Sequence, residues 1–229
     1  WFVPSPFMNC LIDGGIYDGA KYNNFGIHGS GIATATDSMA VIEKYVFNEK
    51  SISPKTLIEA VDSNFEKHSE LLPILRYEAP KLGNDSDLPD NAAIMLLDAF
   101  SEALAGKVNC RGGKFRAGTG TAMYYLWHAD EIGASPDGRR SKEPFGTNFS
   151  PSLFAKIQGP LSVVKSFTKP DFSKTINGGP LTLEFASSMF EGEDCIKKVA
   201  MLVKTFIDMG GHQLQLNAVN SETMKDAQL

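Results

Sequence analysis

The sequence predicts an α/β fold of the layered or barrel type. Strand-like and helix-like segments alternate through the second half of the 229-residue chain, and this alternation favours layered α/β architecture over separate α and β domains. Glycines are grouped where segments begin and end, as at Gly178-Gly179 and Gly210-Gly211, which is typical of tight strand entries. No fixed repeat or low-complexity linker divides the chain, so we expect one domain or part of one.

The first half predicts three helices. Asp37 is a candidate N-cap for an amphipathic run that extends from Met39 to Val46. Ser53 and Pro54 suit the N-cap and first position of the next helix. A third helix is expected over residues 89–104.

The second half predicts a mixture of strands, loops and helices. Residues 115–133 are rich in Gly, Thr and aromatic residues, which favours strand or extended chain. A long irregular loop follows, with a Pro-Asp-Gly turn at its centre. The remaining predicted elements are a short helix over 159–167, a strand over 177–185, a helix over 191–211 ended by a C-cap glycine, a strand over 212–219 and a helix N-terminus over 220–223.

Composition excludes several classes of protein. Hydrophobic residues make up 42% and charged residues 21% of the chain, which is ordinary for a globular protein. The formal net charge of -5 disfavours nucleic acid or an acidic membrane surface as partner. Cys10, Cys110 and Cys195 lie too far apart for a disulfide framework, so we expect a cytoplasmic location.

The familiar catalytic and metal-binding motifs are missing. The Gly-rich run from Gly26 to Thr36 lacks the lysine of a phosphate-binding loop, which favours a close-packed backbone turn. The four histidines are scattered without ligand spacing, and we expect no metal site. Of these, His128 favours a structural role, whereas His212 fits a pocket or a structural role equally well.

The last predicted strand has two unlike faces. Gln213, Gln215 and Asn217 alternate with Leu214 and Leu216, so the polar side chains share one face. This pattern fits a wet or ligand-lined interior, and it fits a solvent-exposed edge strand as well.

Four stretches in order resemble the glycyl radical enzyme family, which includes pyruvate formate-lyase and related dehydratases, lyases and decarboxylases. They are GGIYDGAKYNNFGIHGSGIATATDSMAVIEKYVF, KLGNDSD, GASPDGRRSKEPFGTNFSPS and GGHQLQLNAVNSETMKDAQ. The resemblance covers nearly the whole chain. It implies part of a ten-stranded α/β barrel, made of two half-barrels surrounded by helices, of which residues 1–229 would be the second half-barrel.

The family's chemistry implies residues that we expect outside this chain. A thiyl cysteine would lie upstream of Trp1, and a radical glycine would lie in an Arg-Val-x-Gly loop beyond Leu229, so the glycyl radical domain is expected downstream. No R-V-x-G motif occurs here, and Cys10 has the wrong context and is expected to be a helix-buried thiol. We therefore assign no catalytic residue and no bound cofactor to this chain, whereas the parent would need a glycyl radical installed by a radical-SAM activating enzyme.

The resemblance also implies a substrate-cavity wall. The six candidates are Phe115, Thr119, Leu183, Gln213, Gln215 and Asn217, and core packing is the alternative role for all of them. For the strand near Leu183, either the Thr182 and Glu184 face or the leucine face could line the cavity, and we favour Leu183. Arg139 is expected to brace the barrel.

The implied function is a fragment of an enzyme for anaerobic radical cleavage of a C–C, C–O or C–N bond, either a formate acetyltransferase-like lyase or a dehydratase. Its expected partners are the remainder of its barrel, the activating enzyme, a small-molecule substrate and a second copy of the full-length protein. The alternatives are a non-catalytic split subunit and an α/β ligand-binding module.

Overall fold

A computed structural model of the chain describes residues 21–228. It contains four short strands in two parallel pairs: β1 (Phe25–His28) with β2 (Phe115–Gly118), and β3 (Leu181–Ala186) with β4 (Leu214–Val219). Parallel pairing requires crossover connections, which the helices supply. Cys10 and its predicted helix lie outside the described residues.

Helices fill the crossovers. Between β1 and β2 they are α1 (Ile32–Val41, continued as a π-helix over Ile42–Asn48), α2 (Pro54–Asp62), α3 (Leu71–Pro73, continued as a π-helix over Ile74–Glu78) and α4 (Asp87–Leu104). After β2 they are α5 (Tyr124–Glu131), α6 (Pro160–Phe167), a 3-10 turn (Ser187–Phe190), α7 (Glu193–Asp208) and α8 (Ser221–Asp226). None of these helices between residues 21 and 228 is long and apolar enough to cross a bilayer.

Several helix ends follow the capping rules. The Ser53 side chain accepts a hydrogen bond from the Thr56 amide at 3.0 Å, with Pro54 in the first turn. The Asn220 side chain accepts one from the Thr223 amide at 2.8 Å. Gly210, at φ 83°, follows α7, a backbone angle that glycine adopts without strain. The predicted caps at these three ends are confirmed.

Residues 115–133 do not form the extended chain that their composition predicts. Only β2 is a strand, and residues 124–131 turn into α5. Helix α5 buries only Ala129, and its aromatic side chains stay largely exposed. The Gly-rich run after Tyr22 contains β1 and then Gly31, whose φ of 73° starts α1.

Two apolar clusters support the sheet and helices. The first joins the start of α1, α4, α6, α7 and β3; its members are Ile32, Ala33, Leu82, Ala93, Leu97, Phe149, Val163, Val164, Phe167, Phe172, Leu181 and Phe206. The second lies among α1, α2 and α3; its members are Val41, Tyr45, Ile52, Leu57, Ala60, Phe65, Leu75 and Ala79. Leu183 and Leu214 pack against the first cluster, so the leucine face of β3 and β4 faces the helices.

The two strand pairs meet at a glycine junction formed by Gly178 and Gly179. The Asn177 amide donates to the Ala117 carbonyl at 3.0 Å, and the Thr119 amide donates to the Gly178 carbonyl at 2.7 Å. A Cβ atom on Gly179 would lie 1.9 Å from the Thr119 Oγ1 and 2.5 Å from its carbonyl carbon. Only glycine lets the two backbones approach this closely, and Gly179 also has a φ of 135°.

A buried polar cluster joins α1 to the Pro-Asp-Gly loop. Asp37 is fully buried inside α1, so the prediction that it caps a helix is wrong. Its Oδ1 accepts from the Leu82 amide at 2.7 Å, and its Oδ2 accepts from the Ser152 hydroxyl at 3.1 Å. The Lys81 Nζ donates to the carbonyl of Asp137 at 2.7 Å.

Burial changes the titration of this cluster. Loss of hydration raises the pKa of Asp37 from 3.8 to about 7; the Lys81 charge opposes this rise and Asp137 adds to it. Burial also raises the pKa of Asp137 and lowers that of Lys81. Arg139, which is fully buried, donates to the carbonyls of Gly133, Ile132, Arg140 and Glu143, and thereby braces the loop.

We predict that Gly179→Ala destabilises the protein by about 1–3 kcal/mol, because the added methyl group overlaps backbone atoms of Thr119. The measurement is the urea midpoint of the natural protein that contains this sequence. Gly159→Ala is the matched control, since Gly159 is extended and has open space around its Cβ position. Equal midpoints for the two variants would contradict the close approach at the junction.

We also predict that Asp37→Asn flattens the dependence of stability on pH. Because the folded pKa of Asp37 lies above its unfolded value, the stability it contributes is fully present below about pH 4 and is lost as pH rises through about 7. Asn cannot ionise but can keep both hydrogen bonds. Between pH 5 and pH 8, the free energy of unfolding of the variant should therefore rise relative to that of the natural protein, by at most about 4 kcal/mol.

Urea midpoints at the two pH values measure this difference. The control is Asp62→Asn, which removes a carboxylate from an exposed position. A difference between Asp37→Asn and the natural protein that stays constant with pH would show that Asp37 is ionised throughout.

Candidate functional site

One face of β3 and β4 is polar and points away from the helices. Thr182 pairs with Gln215 and Glu184 pairs with Asn217 across the two strands. Alternation places these four side chains opposite the leucines that pack on the helices. The Gln215 Nε2 donates to the Asn217 Oδ1 at 3.1 Å. This surface, which we call the inner face, carries neighbouring amide and carboxylate groups.

His28 is the last residue of β1, in the other strand pair. Its Nδ1 accepts a hydrogen bond from the Gly120 amide at 2.9 Å, and its Nε2 lies 2.8 Å from the Asn177 side-chain amide. A ring nitrogen that accepts from a backbone amide carries no proton. The Asn177 side chain and the Gly120 amide thus hold the two ring nitrogens of His28.

Asn148 ties the loop before α6 to both strand pairs. Its Oδ1 accepts from the Thr121 amide at 2.9 Å, and its Nδ2 donates to the Thr182 hydroxyl at 3.1 Å. The Asn148 amide in turn donates to the Thr121 hydroxyl at 3.0 Å. One side chain thus fixes Thr121 relative to the inner face.

A cavity of about 480 Å³ opens at the carboxyl ends of β1 and β2. His28, Thr121, Tyr124 and His128 are among its lining residues. Tyr124 stacks on His128 with ring centres 5.3 Å apart. The cavity therefore combines an aromatic wall with a small number of polar groups, as small-molecule sites do.

A second opening, of about 370 Å³, follows the edge of β3. It lies between β3 and the loop before α6, and Ser150, Thr182, Leu183, Glu184 and Phe185 line it. The Thr182 amide donates to the Ser150 hydroxyl at 2.9 Å. Beyond that hydrogen bond, the groove leaves the edge of β3 open to a ligand.

Three of the six predicted wall residues lie around the polar face. Gln215 is exposed and Asn217 is half-buried on the inner face. The Gln213 Oε1 accepts from the Gly179 amide at 3.0 Å, so this side chain also holds the glycine junction. The predicted alternation of Gln213, Gln215 and Asn217 is present in the structure, and their contact with a substrate stays a prediction.

The other three candidates do not face the same space. Thr119 is 1% exposed and its hydroxyl donates to the Gly179 carbonyl, so Gly120 and Thr121 line the cavity in its place. Phe115 packs edge-on against Phe25, at the amino end of β2. Leu183 belongs to the leucine face that packs on the helices, although the groove beside β3 reaches it. The helices use the leucine face in the core, and which face of β3 contacts a substrate stays a prediction.

His212 has a structural environment. Its ring stacks on Phe172 at 4.2 Å between ring centres, and burial lowers the pKa of its imidazole. Within residues 21–228, no three His, Cys, Asp or Glu side chains are grouped so that they could hold a metal ion.

Two family models match the chain. Residues 2–128 match the model described as "Pyruvate formate lyase-like", and residues 145–229 match the model described as "Glycine radical". The second match shows that part of a glycyl radical domain lies within residues 145–229, so the prediction that this domain lies beyond Leu229 is wrong. The matched residues do not include an R-V-x-G motif, so the domain division of the parent stays a prediction.

Relatives of known activity cover nearly all of this chain. It is 33% identical to trans-4-hydroxy-L-proline dehydratase of Clostridioides difficile, over 99% of this chain and 29% of the relative. It is 29% identical to (2S)-3-sulfopropanediol dehydratase of Klebsiella oxytoca, over 99% of this chain and 28% of the relative. The chain thus spans less than a third of the length of these enzymes.

Solved structures show the same fold. The glycerol-bound B12-independent glycerol dehydratase of Clostridium butyricum superimposes with a TM-score of 0.90 at 30% identity, over 99% of this chain and 30% of that one. The prediction that the four strands and their helices are part of a ten-stranded α/β barrel is confirmed. Matches to both family models, to these dehydratases and to this barrel lead to one conclusion: the chain belongs to the pyruvate formate lyase-like family of glycyl radical enzymes.

Proposed function

We propose that this chain forms one wall of the substrate cavity in a glycyl radical enzyme that cleaves a carbon–oxygen or similar carbon–heteroatom bond of a small polar substrate. Relatives that act as dehydratases and sulfite-lyases support this reaction class. Carbon–oxygen cleavage is favoured because the first two relatives are both dehydratases.

The inner face is the single observation that carries the proposal. A strand buried on both faces would be apolar on both, yet β3 and β4 present Thr182, Glu184, Gln215 and Asn217 on the side away from the core. Polar side chains at this place can bind the hydroxyl, amine or acidic groups of a substrate. Within the described residues, the Asn217 Nδ2 has no partner and is free to donate.

The protein radical supplies hydrogen-atom abstraction, and this chain's residues bind and orient. The Gln215 Nε2 holds Asn217 by donating a hydrogen bond to its Oδ1. Asn148 holds Thr121 beside the cavity, and Tyr124 stacked on His128 supplies an aromatic wall. Such fixed groups lower the entropic barrier by keeping the substrate in a reactive position.

The wider setting is part of the same proposal. Residues 1–229 would supply the second half-barrel, with the thiyl cysteine and the radical glycine on other segments of the parent. The expected partners are those segments, a radical-SAM activating enzyme, a small-molecule substrate and a second copy of the parent, in the cytoplasm.

We predict that Asn217→Leu lowers turnover by about tenfold or more without lowering the radical content. Leucine has a similar size but removes the side-chain amide donor, which leaves a substrate polar group unpaired. The experiment uses the intact natural protein, activated without oxygen. Electron paramagnetic resonance measures the radical, and dehydration of trans-4-hydroxy-L-proline, glycerol and 1,2-propanediol is assayed.

Met201→Ala is the control, because Met201 is exposed on α7. Full turnover by Asn217→Leu would show that the Asn217 side chain does not bind the substrate. Absence of a glycyl radical signal in the activated natural protein would overturn the proposed reaction class.

A further inference from the structure

A basic recess lies at the amino ends of β1 and β2, at the other end of these strands from the cavity that His28 lines. It has a volume of about 460 Å³. Four cationic residues line it: Lys21, Arg111, Lys114 and Arg116. The uncharged residues Tyr22, Asn23 and Asn24 also belong to the lining. No described residue in this lining is acidic, although the chain as a whole has a formal net charge of -5.

Two of these cations have no counter-charge within the described part of the chain. The side chains of Lys114 and Arg116 have no ion pair or hydrogen bond there, and the Arg116 Nε is buried without a partner. The Lys21 Nζ lies over the ring of Tyr22, at 5.4 Å from its centre. Burying an unpaired donor of a charged group is costly, and neighbouring like charges add to that cost.

The walls of the recess are held rigidly. The Asn109 Oδ1 accepts from the amides of Arg111 and Gly113, and its Nδ2 donates to the Asn23 carbonyl at 2.6 Å. The Asn24 Oδ1 accepts from the Lys114 amide at 3.0 Å. A Cβ atom on Gly113 would lie 1.7 Å from the Asn23 oxygen. Asparagine and glycine thus lock the turn against β1 and fix the backbone from which Lys114 and Arg116 extend.

We propose that this recess binds a small phosphate-bearing ligand. An isolated carboxylate is neutralised by one cation, whereas a phosphate group carries more negative charge and offers acceptors to several donors. The recessed Arg116 on a strand suits such a group better than a flat protein surface would. The site is separate from the proposed radical chemistry and does not depend on it.

Isothermal titration calorimetry of the intact natural protein with inorganic pyrophosphate tests the site. We expect saturable binding at low ionic strength that weakens as salt is added. Arg116→Met and Lys114→Met should each weaken binding by about tenfold or more. Arg116→Lys keeps the charge and should recover part of the loss, because lysine lacks the planar fork.

Lys67→Met is the matched control, since it removes one exposed cation outside the recess. It should bind pyrophosphate as the natural protein does. Acetate, which carries a single carboxylate, should bind far more weakly than pyrophosphate.

Three results would overturn the proposal: no saturable binding of pyrophosphate, equal binding of acetate, or equal losses in Lys67→Met and the recess variants. If Arg116→Met does not fold, the pyrophosphate affinity of Lys114→Met alone tests the site. Lys114 is exposed, and in the described structure its hydrogen bonds are made by its backbone, through the amide to Asn24 and the carbonyl to Phe25, so substitution of its side chain leaves the turn intact. Unchanged affinity in that variant would also overturn the site.

Discussion

The glycine junction is the constraint on which the rest of the structure depends. Short strands of four to six residues have little stability of their own, because each two-stranded pair leaves both outer edges unpaired. Two backbone hydrogen bonds join the pairs: the Asn177 amide donates to the Ala117 carbonyl, and the Gly178 carbonyl accepts from the Thr119 amide. A side chain on Gly179 would overlap Thr119 and prevent this approach. The His28 contact with Asn177 and the Gln213 contact with Gly179 lie at the same junction.

The sequence predicted those parts of the fold whose signals are local. Ser53 with Pro54, and Asn220 with Thr223, specify helix starts through atoms three residues apart, and both were found. Asp37 has the same local signature but a different role. Its partners Leu82 and Ser152 lie 45 and 115 residues away, and no periodicity reveals contacts of that range. Tyr124 to Glu131 form a helix although aromatic residues favour strands, because strand propensity is weak and depends on context.

The same distinction explains the candidate site. Alternation along β4 was enough to group Gln213, Gln215 and Asn217. It could not decide which face of β3 the helices cover, and the structure shows that Leu183 packs against the first apolar cluster. Asn148 was missed altogether, since a lone asparagine in an irregular loop has no sequence signature. Its position is defined only by Thr121 and Thr182, which are 27 and 34 residues away.

The long helix that begins at Ile32 has a mechanical consequence. Its first residues belong to one apolar cluster and Val41 and Tyr45 belong to the other, while the π-helical turn after Val41 continues the rod without a break. A helix that unwinds at one end withdraws side chains from one cluster and loosens the backbone that enters the next. Two cores that share such a rod lose their structure together, so this region unfolds as one cooperative unit rather than as two independent modules.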